Sequence, residues 1–576
     1  MAKWSFVARS EDVTGAEPHH VSTEGVDAAL IRVDGDLRAF QGLCPHQGAL
    51  LGEGEIVDGQ LVCRNHRWCF DADTGERDGG PQCLEQYPIR EVDGRVELDL
   101  DAVEESGDAK AVRRREDLPG PDGWPVVGSA LQMSEDKLHQ DLENWAREYG
   151  TVYRYDAGPY AVTVTAEPEM MADAFQQRPE TFHKLDGLQK VFDELGILGV
   201  FAEEGEPWRR QRRLVMGALN PRRLRDFFPT LRQVTERLLE RWERAAEQGR
   251  TIEVQSDMMR FTIDVTTQLA FAEETNTIGE ETNFLIDNLD PVFPKLMSRL
   301  TALVPYWRIL KLPSDRRVER GLNEVRDWLS DVIERTRAEL EEDPERADNP
   351  RNFLEAMLAE CDADGEPYDE DVIFGNAMTM LLAGEDTTAN TLSWAVHLLL
   401  DAPEAESSLR DAIDEVLDES SVPASMSVAG GLEAVEAVAN ESMRLKPVAP
   451  FTLMTATEDT VIGDLAVEEG TTVACLTRVP GLDPDHVEDP ERFDPSRWDD
   501  PKMVAKMQRS GTFMPFGSGP RMCPGRSLAL LEIRMVLATL YRNFEVERVG
   551  ESADVEEMMG FTMTPKGLRV KLHKRG

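Results

Sequence analysis

The sequence predicts a multidomain protein in which a small all-β domain precedes a larger, mainly α domain that carries small β-sheets. Three observations support this fold class. The chain has 576 residues, which is too long for one ordinary domain. Residues 1–100 alternate between apolar and polar side chains in short segments, whereas beyond residue 118 the apolar residues mostly recur at helical spacing. We therefore predict a β domain over 1–100, a charged linker over 101–117 and an α domain over 118–576.

Short alternating segments in the first hundred residues are separated by Asp-Gly pairs. The clearest segments are Val21–Thr23, Leu30–Val33 and Arg95–Leu100. The Asp-Gly pairs stand at 34–35, 58–59 and 93–94. An Asp-Gly pair between alternating apolar residues favours a two-residue turn that joins antiparallel strands. The pattern therefore predicts a small antiparallel β domain.

A stretch rich in charge and poor in large apolar residues, 101–117, separates the two predicted domains. This composition suits an exposed linker, which would span about 20–25 Å on average and about 55–60 Å when extended. Beyond it, aliphatic residues recur at intervals of three and four in Leu231–Ala245, Val372–Leu400 and Ser527–Tyr541. These segments predict long helices.

The chain carries a formal net charge of −46. A surface this acidic excludes general affinity for nucleic acid, because phosphates would be repelled. It suits a strongly solvated exterior adapted to a high-salt habitat. No run of eighteen apolar residues occurs, and Met1–Ser10 lacks the order of a secretory signal. We therefore expect a soluble, cytoplasmic protein without a membrane anchor.

Two cysteines and two histidines form a pair of short motifs near the amino terminus. One residue separates Cys44 from His46, and two residues separate Cys63 from His66. Thiolates combined with imidazoles suit either zinc or an iron–sulfur cluster. The spacing resembles that of the Rieske family, and the resemblance implies a [2Fe-2S] cluster whose cysteines hold one iron and whose histidines hold the other. A zinc site and an accidental match are the alternatives.

Two features refine this resemblance. Ala49 and Asn65 stand where respiratory members carry cysteines that form a disulfide, so the resemblance implies the ferredoxin-like subclass with a potential toward the negative end of the Rieske range. Arg67 departs from the family because a smaller residue is usual there. Four of the seven cysteines lie outside the metal motifs, and no disulfide scaffold is expected. These are Cys69, Cys83, Cys361 and Cys475.

A glycine-rich cysteine loop lies near the carboxyl end of the chain. It runs from Phe516 to Gly525 and ends just before the helix predicted from Ser527. Glycines let such a loop approach a flat cofactor closely, and a helix amino terminus favours the negative charge of a thiolate. The loop resembles that of the cytochrome P450 family. This resemblance implies haem b bound through the thiolate of Cys523, and it extends over nearly all of 119–572.

The same resemblance assigns further residues to the haem. It implies that Arg521 contacts one propionate and that Trp208 and Arg212 contact the other. Thr455 and Arg478 fall where many members have an arginine and a histidine near the propionates. No counterpart of those contacts is predicted here.

Two further motifs match the family. Glu441 and Arg444 match its Glu-x-x-Arg, and Arg497 matches the arginine of the following meander. The resemblance implies that these three form a structural, charge-assisted network on the haem side. Asp386 and Thr387 lie inside an apolar helix pattern, where an acid and a threonine are costly. The resemblance implies that this acid–alcohol pair delivers protons to bound oxygen; the alternative is a solvated helix face whose threonine bonds back to a carbonyl.

The combined resemblance implies a monooxygenase that hydroxylates or oxidatively dealkylates a small apolar substrate with O₂. Electrons would pass from an external NAD(P)H-dependent flavin reductase through the cluster to the haem. The chain has no dinucleotide fingerprint, so we expect no flavin or nicotinamide site within it. The alternatives are a peroxide-driven or isomerising haem-thiolate enzyme and, in a different class, a redox or gas sensor.

Charge is unevenly distributed along the chain. Residues 1–100 hold 19 acidic and 9 basic residues, a net charge of −10, whereas 207–225 hold seven arginines and no acid. Another basic stretch, 502–534, has six basic residues and one acid. The resemblance to the cytochrome P450 family implies that these two stretches flank the thiolate side of the haem, where redox partners dock. We therefore predict that the acidic β domain docks on a basic surface beside the cysteine loop. The candidates are Arg209, Arg210, Arg213, Lys502, Lys506 and Arg509; pairing of these arginines with acids of their own domain is the alternative.

Overall fold

The computed structural model divides the chain into two compact units, Met1–Val112 and Arg113–Gly576. The described residues are 3–15, 17–23, 26–33, 35–44, 50–57, 59–63, 68–76, 84–99, 113–125, 127–158, 160–280, 283–300, 302, 304–360 and 368–575. The first unit is rich in β-structure and the second is mainly helical with small sheets, so the predicted fold class is confirmed.

The amino-terminal unit consists of three antiparallel sheets of three strands each, with strand orders β1-β9-β8, β2-β3-β4 and β5-β6-β7. Its strands are β1 (Trp4–Arg9), β2 (His19–Thr23), β3 (Val26–Val33), β4 (Asp36–Gln41), β5 (Glu55–Val57), β6 (Gln60–Val62), β7 (Cys69–Asp71), β8 (Ile89–Val92) and β9 (Arg95–Asp99).

The predicted Asp-Gly hairpins are confirmed by the strand pairing. Val92 of β8 pairs with Arg95 of β9, so Asp93 and Gly94 form the two-residue connection. Both have positive φ, 51° and 74°, as the type I′ turn favoured in hairpins requires. The strands around the other two pairs, β3 with β4 and β5 with β6, are also antiparallel neighbours.

The helices of the second unit surround a continuous apolar core. They are α1 (Leu138–Tyr149), α2 (Pro168–Gln176), α3 (Asp186–Glu194), α4 (Gly205–Ala218), α5 (Pro221–Glu247), α6 (Val254–Phe271), α7 (Phe284–Leu289), α8 (Val292–Leu300), α9 (Pro313–Glu342), α10 (Glu345–Asp348), α11 (Phe353–Ala359), α12 (Glu370–Leu399), α13 (Pro403–Leu417), α14 (Met426–Gly430), α15 (Glu433–Leu445), α16 (Pro501–Arg509) and α17 (Arg526–Asn543).

Three of these helices, α5, α12 and α17, cover the segments whose apolar spacing predicts helix. The helix α12 is buried on most of its circumference and packs against α6, α15 and α17. A helix that is apolar nearly all round belongs in a core. It therefore forms the central element around which the candidate site is built. None of the described helices is both long and apolar enough to cross a membrane.

The strands of the second unit form small sheets with the orders β10-β11-β17-β14-β12, β13-β21-β18, β15-β16 and β19-β20. They are β10 (Val152–Ala157), β11 (Tyr160–Thr165), β12 (Phe182–Lys184), β13 (Ile252–Glu253), β14 (Thr452–Ala456), β15 (Thr460–Ile462), β16 (Leu465–Val467), β17 (Thr472–Cys475), β18 (Phe544–Arg548), β19 (Glu556–Met559), β20 (Met563–Lys566) and β21 (Arg569–Lys574). The hairpin β19–β20 lies against α12 and contributes directly to the site.

The second unit begins within the segment that its charge predicts to be linker. Arg113 forms an ion pair with Asp464 at 2.6 Å, and its backbone bridges to Leu465. Arg115 forms an ion pair with Asp156 at 2.5 Å. Charged residues suit an exposed linker, but these two arginines form ion pairs with carboxylates of the helical unit. Residues from 113 onward therefore belong to the helical unit.

Candidate functional site

The cysteine loop brings Cys523 to a position three residues ahead of α17. Its amide donates a hydrogen bond to the carbonyl of Phe516 at 2.9 Å, which closes the loop. Gly517 and Gly519 have φ values of +71° and +68°. A Cβ at Gly519 would lie 2.3 Å from the carbonyl oxygen of Phe175. The loop thus requires glycine at this position for both its backbone conformation and its close approach to a neighbour.

The sulfur of Cys523 lies in a setting that suits a metal-bound thiolate. Burial raises the pKa of the thiol, whereas hydrogen bonds from the amides of Gly525 and Arg526 and the charge of Arg212 lower it. The residue is nevertheless exposed. A soft sulfur that is stabilised by amides and belongs to an exposed residue fits the axial ligand of a haem iron.

Three cations close to this loop fit the carboxylates of a haem. They are Arg178, Lys184 and Arg521, and burial is the main cause that lowers the pKa of each, that of Arg521 to about 10. Glu204 is the carboxylate partner of Arg521. Within the described residues, the Nε atoms of Arg178 and Arg521 have no hydrogen-bond partner. Three cations beside one carboxylate leave uncompensated positive charge, which two propionates would neutralise.

Trp208 and Arg212 tie α4 to the cysteine loop. The guanidinium carbon of Arg521 lies 4.4 Å from the ring centroid of Trp208. Arg212 donates to the carbonyl of Met522 at 2.5 Å. A propionate contact of Arg212 therefore stays a prediction, because the structure gives its guanidinium a backbone partner. Sequence reasoning missed Arg178 and Lys184, since neither lies in a recognisable motif.

Arg478, for which the sequence offers no partner, lies in a buried polar cluster. It donates to Glu143 at 2.6 and 2.8 Å and to Glu557 at 3.2 Å. Glu557 also pairs with His139 at 3.0 Å and with Lys446. Burial alone would raise the pKa of Glu557, but these three partners hold it far below its usual range. The cluster fixes the base of the β19–β20 hairpin to α1 and to the end of α15.

The structure brings Glu441, Arg444 and Arg497 together. Arg444 donates to both oxygens of Glu441, at 2.7 and 2.8 Å, and Arg497 donates to Glu441 at 3.3 Å. The indole of Trp498 adds a hydrogen bond at 3.0 Å. The side chains of Glu441 and Arg444 are fully buried. Removing either charge would leave the other buried and uncompensated, which is costly.

Asp386 and Thr387 lie midway along α12, but their side chains have different partners. The Thr387 hydroxyl donates to the carbonyl of Ala383 at 2.9 Å, which is the local bond that the alternative interpretation describes. Asp386 accepts from Asn390 at 2.8 Å and from Thr562 at the tip of the β19–β20 hairpin. Burial raises the pKa of Asp386, while these two hydrogen bonds lower it. The acid is thus held by the hairpin and by its own helix.

Aromatic rings surround the tip of the same hairpin. Phe561 stacks on Phe293 of α8, with centroids 4.8 Å apart and an interplanar angle of 21°. It also packs edge-on against Phe201 at 5.7 Å, and Phe201 in turn contacts Phe192 of α3 at 5.7 Å. These four rings come from separate segments. They form an aromatic wall next to Thr562, the residue that holds Asp386.

In the first unit, Cys44 and Cys63 are buried in an apolar cluster with Phe40 and Phe70. Leu43, next to Cys44, pairs with Leu50. The amide of Cys63 donates to the carbonyl of Trp68 at 2.8 Å. His46 and His66 lie outside the described residues, as do Cys83 and Cys361. Beside each of the two cysteines, the described residues that flank its motif are therefore held together.

Comparison with known proteins agrees with this geometry. The family model described as Cytochrome P450 matches residues 118–572, and the model described as Rieske [2Fe-2S] domain matches residues 3–88. Among curated relatives, the chain is 27% identical to the cytochrome P450 CYP13A3 of Caenorhabditis elegans over 80% of this chain and 94% of that protein. It is 26% identical to LUTEIN DEFICIENT 5, a chloroplastic protein of Arabidopsis thaliana, over 74% of this chain and 72% of that protein.

A third relative joins such a domain to a reductase. The chain is 26% identical to the bifunctional cytochrome P450/NADPH–P450 reductase 2 of Bacillus subtilis (strain 168), over 80% of this chain and 42% of that protein. All three relatives are at most 27% identical to this chain, so none of their substrates can be assigned to it.

Proposed function

We propose that this chain, which belongs to the cytochrome P450 family and is a haem monooxygenase with a Rieske domain, relays electrons from an external NAD(P)H-dependent flavin reductase through its own [2Fe-2S] cluster to its haem. The haem, when bound, would activate O₂ and supply one oxygen atom to an apolar organic substrate. Hydroxylation or oxidative dealkylation would result.

The observation that carries this proposal is the setting of Cys523. Its accessible sulfur, directed amides and neighbouring cations match a thiolate-bound haem, and a donor signature with two buried cysteines precedes it in the same chain. The residues of the protein bind and orient. Cys523 would hold the iron, Arg178 and Arg521 would hold the propionates, and the Glu441 network would maintain the fold beneath them.

An apolar substrate is supported by the aromatic wall. Phe561, Phe293 and Phe201 present ring faces and edges beside α12, and such surfaces bind hydrocarbon or aromatic groups through apolar burial. Asp386 and Thr387 would then supply a proton at the oxygen-binding side of the helix.

The relay can be tested with the variant Cys63→Ser, which should lose the cluster and retain the haem. The purified chain with NAD(P)H and a flavin-dependent ferredoxin reductase should form a product that contains one atom from isotopically labelled O₂. Cys63→Ser should lose this NAD(P)H-driven turnover, while chemical reduction of the haem by dithionite stays normal. Cys69→Ser, which changes a half-buried cysteine outside the motif, is the control. Normal NAD(P)H-driven turnover by Cys63→Ser would refute the relay.

Docking of the acidic Rieske unit on a basic surface beside the cysteine loop forms part of this proposal. Since Arg212 contacts Met522, α4 lies next to that loop. Arg209 pairs with Glu180 and Glu206 of its own unit, which supports the alternative interpretation for this residue. Arg213, Arg222 and Lys506 are exposed and have no carboxylate partner among the described residues. The side chains of Lys502 and Arg509 lie outside the described part of the chain. Arg213 and Lys506 are therefore the better of the predicted candidates, and we add Arg222 to them.

Reversing charge at Arg213 and Arg222 to glutamate should slow electron transfer from cluster to haem by about tenfold at low salt, because the acidic donor would lose its attraction. The linker would keep the donor at a roughly millimolar effective concentration, so transfer should persist. Stopped-flow haem reduction at several ionic strengths measures the effect, and the same reversal at exposed Arg316 and Arg320 of α9 is the control. Equal rates in both variants would favour pairing of these arginines within the helical unit.

A further inference from the structure

A cavity of about 390 Å³ lies between α6, the α7–α8 junction, α12 and the β19–β20 hairpin. Its lining includes exposed residues, Glu253, Lys566 and Gly567, and buried ones, Glu385 and Thr562. The cavity therefore connects the protein surface with the middle of α12. Its volume is many times the roughly 30 Å³ that one water molecule occupies, and the carboxylates and hydroxyls among its mixed polar and apolar lining can hold water.

Glu385 is the unusual group in this cavity. The residue is 1% exposed, and within the described part of the chain neither of its carboxylate oxygens has a hydrogen-bond partner. A buried carboxylate without partners is expensive unless it carries a proton. Burial raises the pKa of Glu385 well above its usual value, and the charges of Asp290 and Asp386 raise it further.

Asp290 and Asp386 line the same cavity. Burial raises the pKa of Asp290 to about 6, with the charges of Asp287 and Asp386 adding to the shift and that of Arg260 opposing it. Neighbouring residues on a helix do not face each other, so Glu385 and Asp386 would communicate through the cavity. Three carboxyl groups with raised pKa values around one cavity are placed to exchange protons through the water that it can hold.

We infer that Glu385 is a proton-relay residue that refills Asp386 from the solvent through this cavity, with Asp290 as its outer partner. In one cycle the carboxyl of Glu385 gives its proton, through cavity water, to the carboxylate of Asp386. Asp386 passes this proton inward toward Thr387 and becomes a carboxylate again. Glu385 regains one proton from Asp290, which is reprotonated from solvent. Each carboxyl thus ends as it began, and one proton has moved inward. This inference rests on the proposed function, because only a monooxygenase consumes protons at that point.

The test compares Glu385→Gln with the wild-type holoprotein. Glutamine fills the same space and cannot relay a proton. We expect about tenfold less product per NAD(P)H, more peroxide, and a larger solvent isotope effect on product formation. This loss is smaller than the roughly 10²- to 10⁴-fold contribution of a proton donor, because cavity water can still reach Asp386 slowly. Asp290→Asn should also lower coupling, which is the product formed per NAD(P)H, when it is measured over a range of pH. It serves as the second variant if Glu385→Gln folds poorly.

Glu532 supplies a matched control. It is also a buried acid whose pKa burial raises, to about 8, but it does not line the cavity. For a group whose folded pKa is raised, the unfolded chain ionises first, so wild-type stability falls as pH rises above the ordinary carboxyl pKa. Both Glu385→Gln and Glu532→Gln should therefore gain thermal stability over wild type as pH rises from about 5 to about 8. Glu385→Gln alone should lose coupling.

Three outcomes are decisive. Wild-type coupling and solvent isotope effect in Glu385→Gln would overturn the inference, and so would an equal loss of coupling in Glu532→Gln. A melting temperature of Glu385→Gln that does not gain on wild type with rising pH would show that Glu385 is not held protonated, which also overturns it. If the wild type forms no oxygenated product, the proposed function itself has failed, and the melting experiment still reports on Glu385 alone.

Discussion

Replacing Glu441 by glutamine should lower the free energy of unfolding of the helical unit by about 3–5 kcal/mol, because Arg444 would remain buried without a counter-charge. Glu441 is fully buried and accepts from Arg444, Arg497 and Trp498, and also from the amide of Asp494 at 2.9 Å. Glutamine keeps the size of the side chain but has one acceptor oxygen and no charge. The lost interaction ties α15 to the segment that precedes the cysteine loop, so haem retention should fall as well.

Urea unfolding followed by tryptophan fluorescence measures this change, with the haem absorbance as a second probe. The variant Glu436→Gln is the control, because Glu436 lies on the same helix and pairs with Arg534 at a half-exposed position. Removing that pair should cost at most about 1 kcal/mol. If the two variants unfold at the same urea concentration, the buried Glu441 contributes no more to the free energy of unfolding than the half-exposed Glu436.

Replacing Thr387 by alanine should uncouple reductant consumption from product formation, with a loss of product-forming rate of about 10²- to 10⁴-fold and release of peroxide. The hydroxyl of Thr387 is half-buried and returns a hydrogen bond to the carbonyl of Ala383, whose own side chain is exposed inside an otherwise buried helix. Such exposure indicates an internal space at this turn of α12. A hydroxyl that rotates away from the carbonyl would reach that space.

The control for this variant is Thr391→Ala. Thr391 lies one turn further along α12 and donates to the carbonyl of Thr387 at 2.9 Å, so both substitutions remove the same kind of local bond. Product and peroxide formed per NAD(P)H are measured for each. Uncoupling in both variants alike would assign the effect to helix geometry, and normal coupling in Thr387→Ala would remove the proton-delivery role.

The tip of the β19–β20 hairpin joins the aromatic wall to the hydroxyl that holds Asp386. Phe561 belongs to the aromatic wall, and the adjacent Thr562 donates to Asp386. The base of the hairpin is held by Glu557 and its three partners, His139, Lys446 and Arg478. A hairpin that is fixed at its base and packed against the aromatic wall at its tip is well placed to set the orientation of the Asp386 carboxylate.

Both metal motifs and the main helices could be predicted from the sequence because the signals are local. The cysteines proposed as ligands, Cys44, Cys63 and Cys523, stand in short segments whose spacing is set by what a cluster or a haem requires, and the glycines of the cysteine loop follow from the same requirement. The lengths of α5, α12 and α17 follow from apolar periodicity, and the hairpin of Asp93 and Gly94 follows from turn chemistry.

The partners of several charged residues could not be predicted in this way. Arg478 forms ion pairs with Glu143 and Glu557. Arg113, which lies in the predicted linker, belongs to the helical unit because it pairs with Asp464, 351 residues further along the chain. Asn390 could have been found from its spacing of four residues after Asp386, whereas nothing local points to Thr562. Likewise, two of the three cations close to the cysteine loop, Arg178 and Lys184, come from segments without a recognisable motif.

By itself the sequence determined the fold class, the two redox signatures and the residues that could ligate metal, because covalent spacing and helical or strand periodicity are properties of neighbouring residues. Only the tertiary structure decided which acids are buried together, which cations remain uncompensated and which hydroxyl holds Asp386. Burial, and with it the pKa of a group such as Glu385, depends on atoms contributed by distant segments, and a linear sequence does not specify which segments those are.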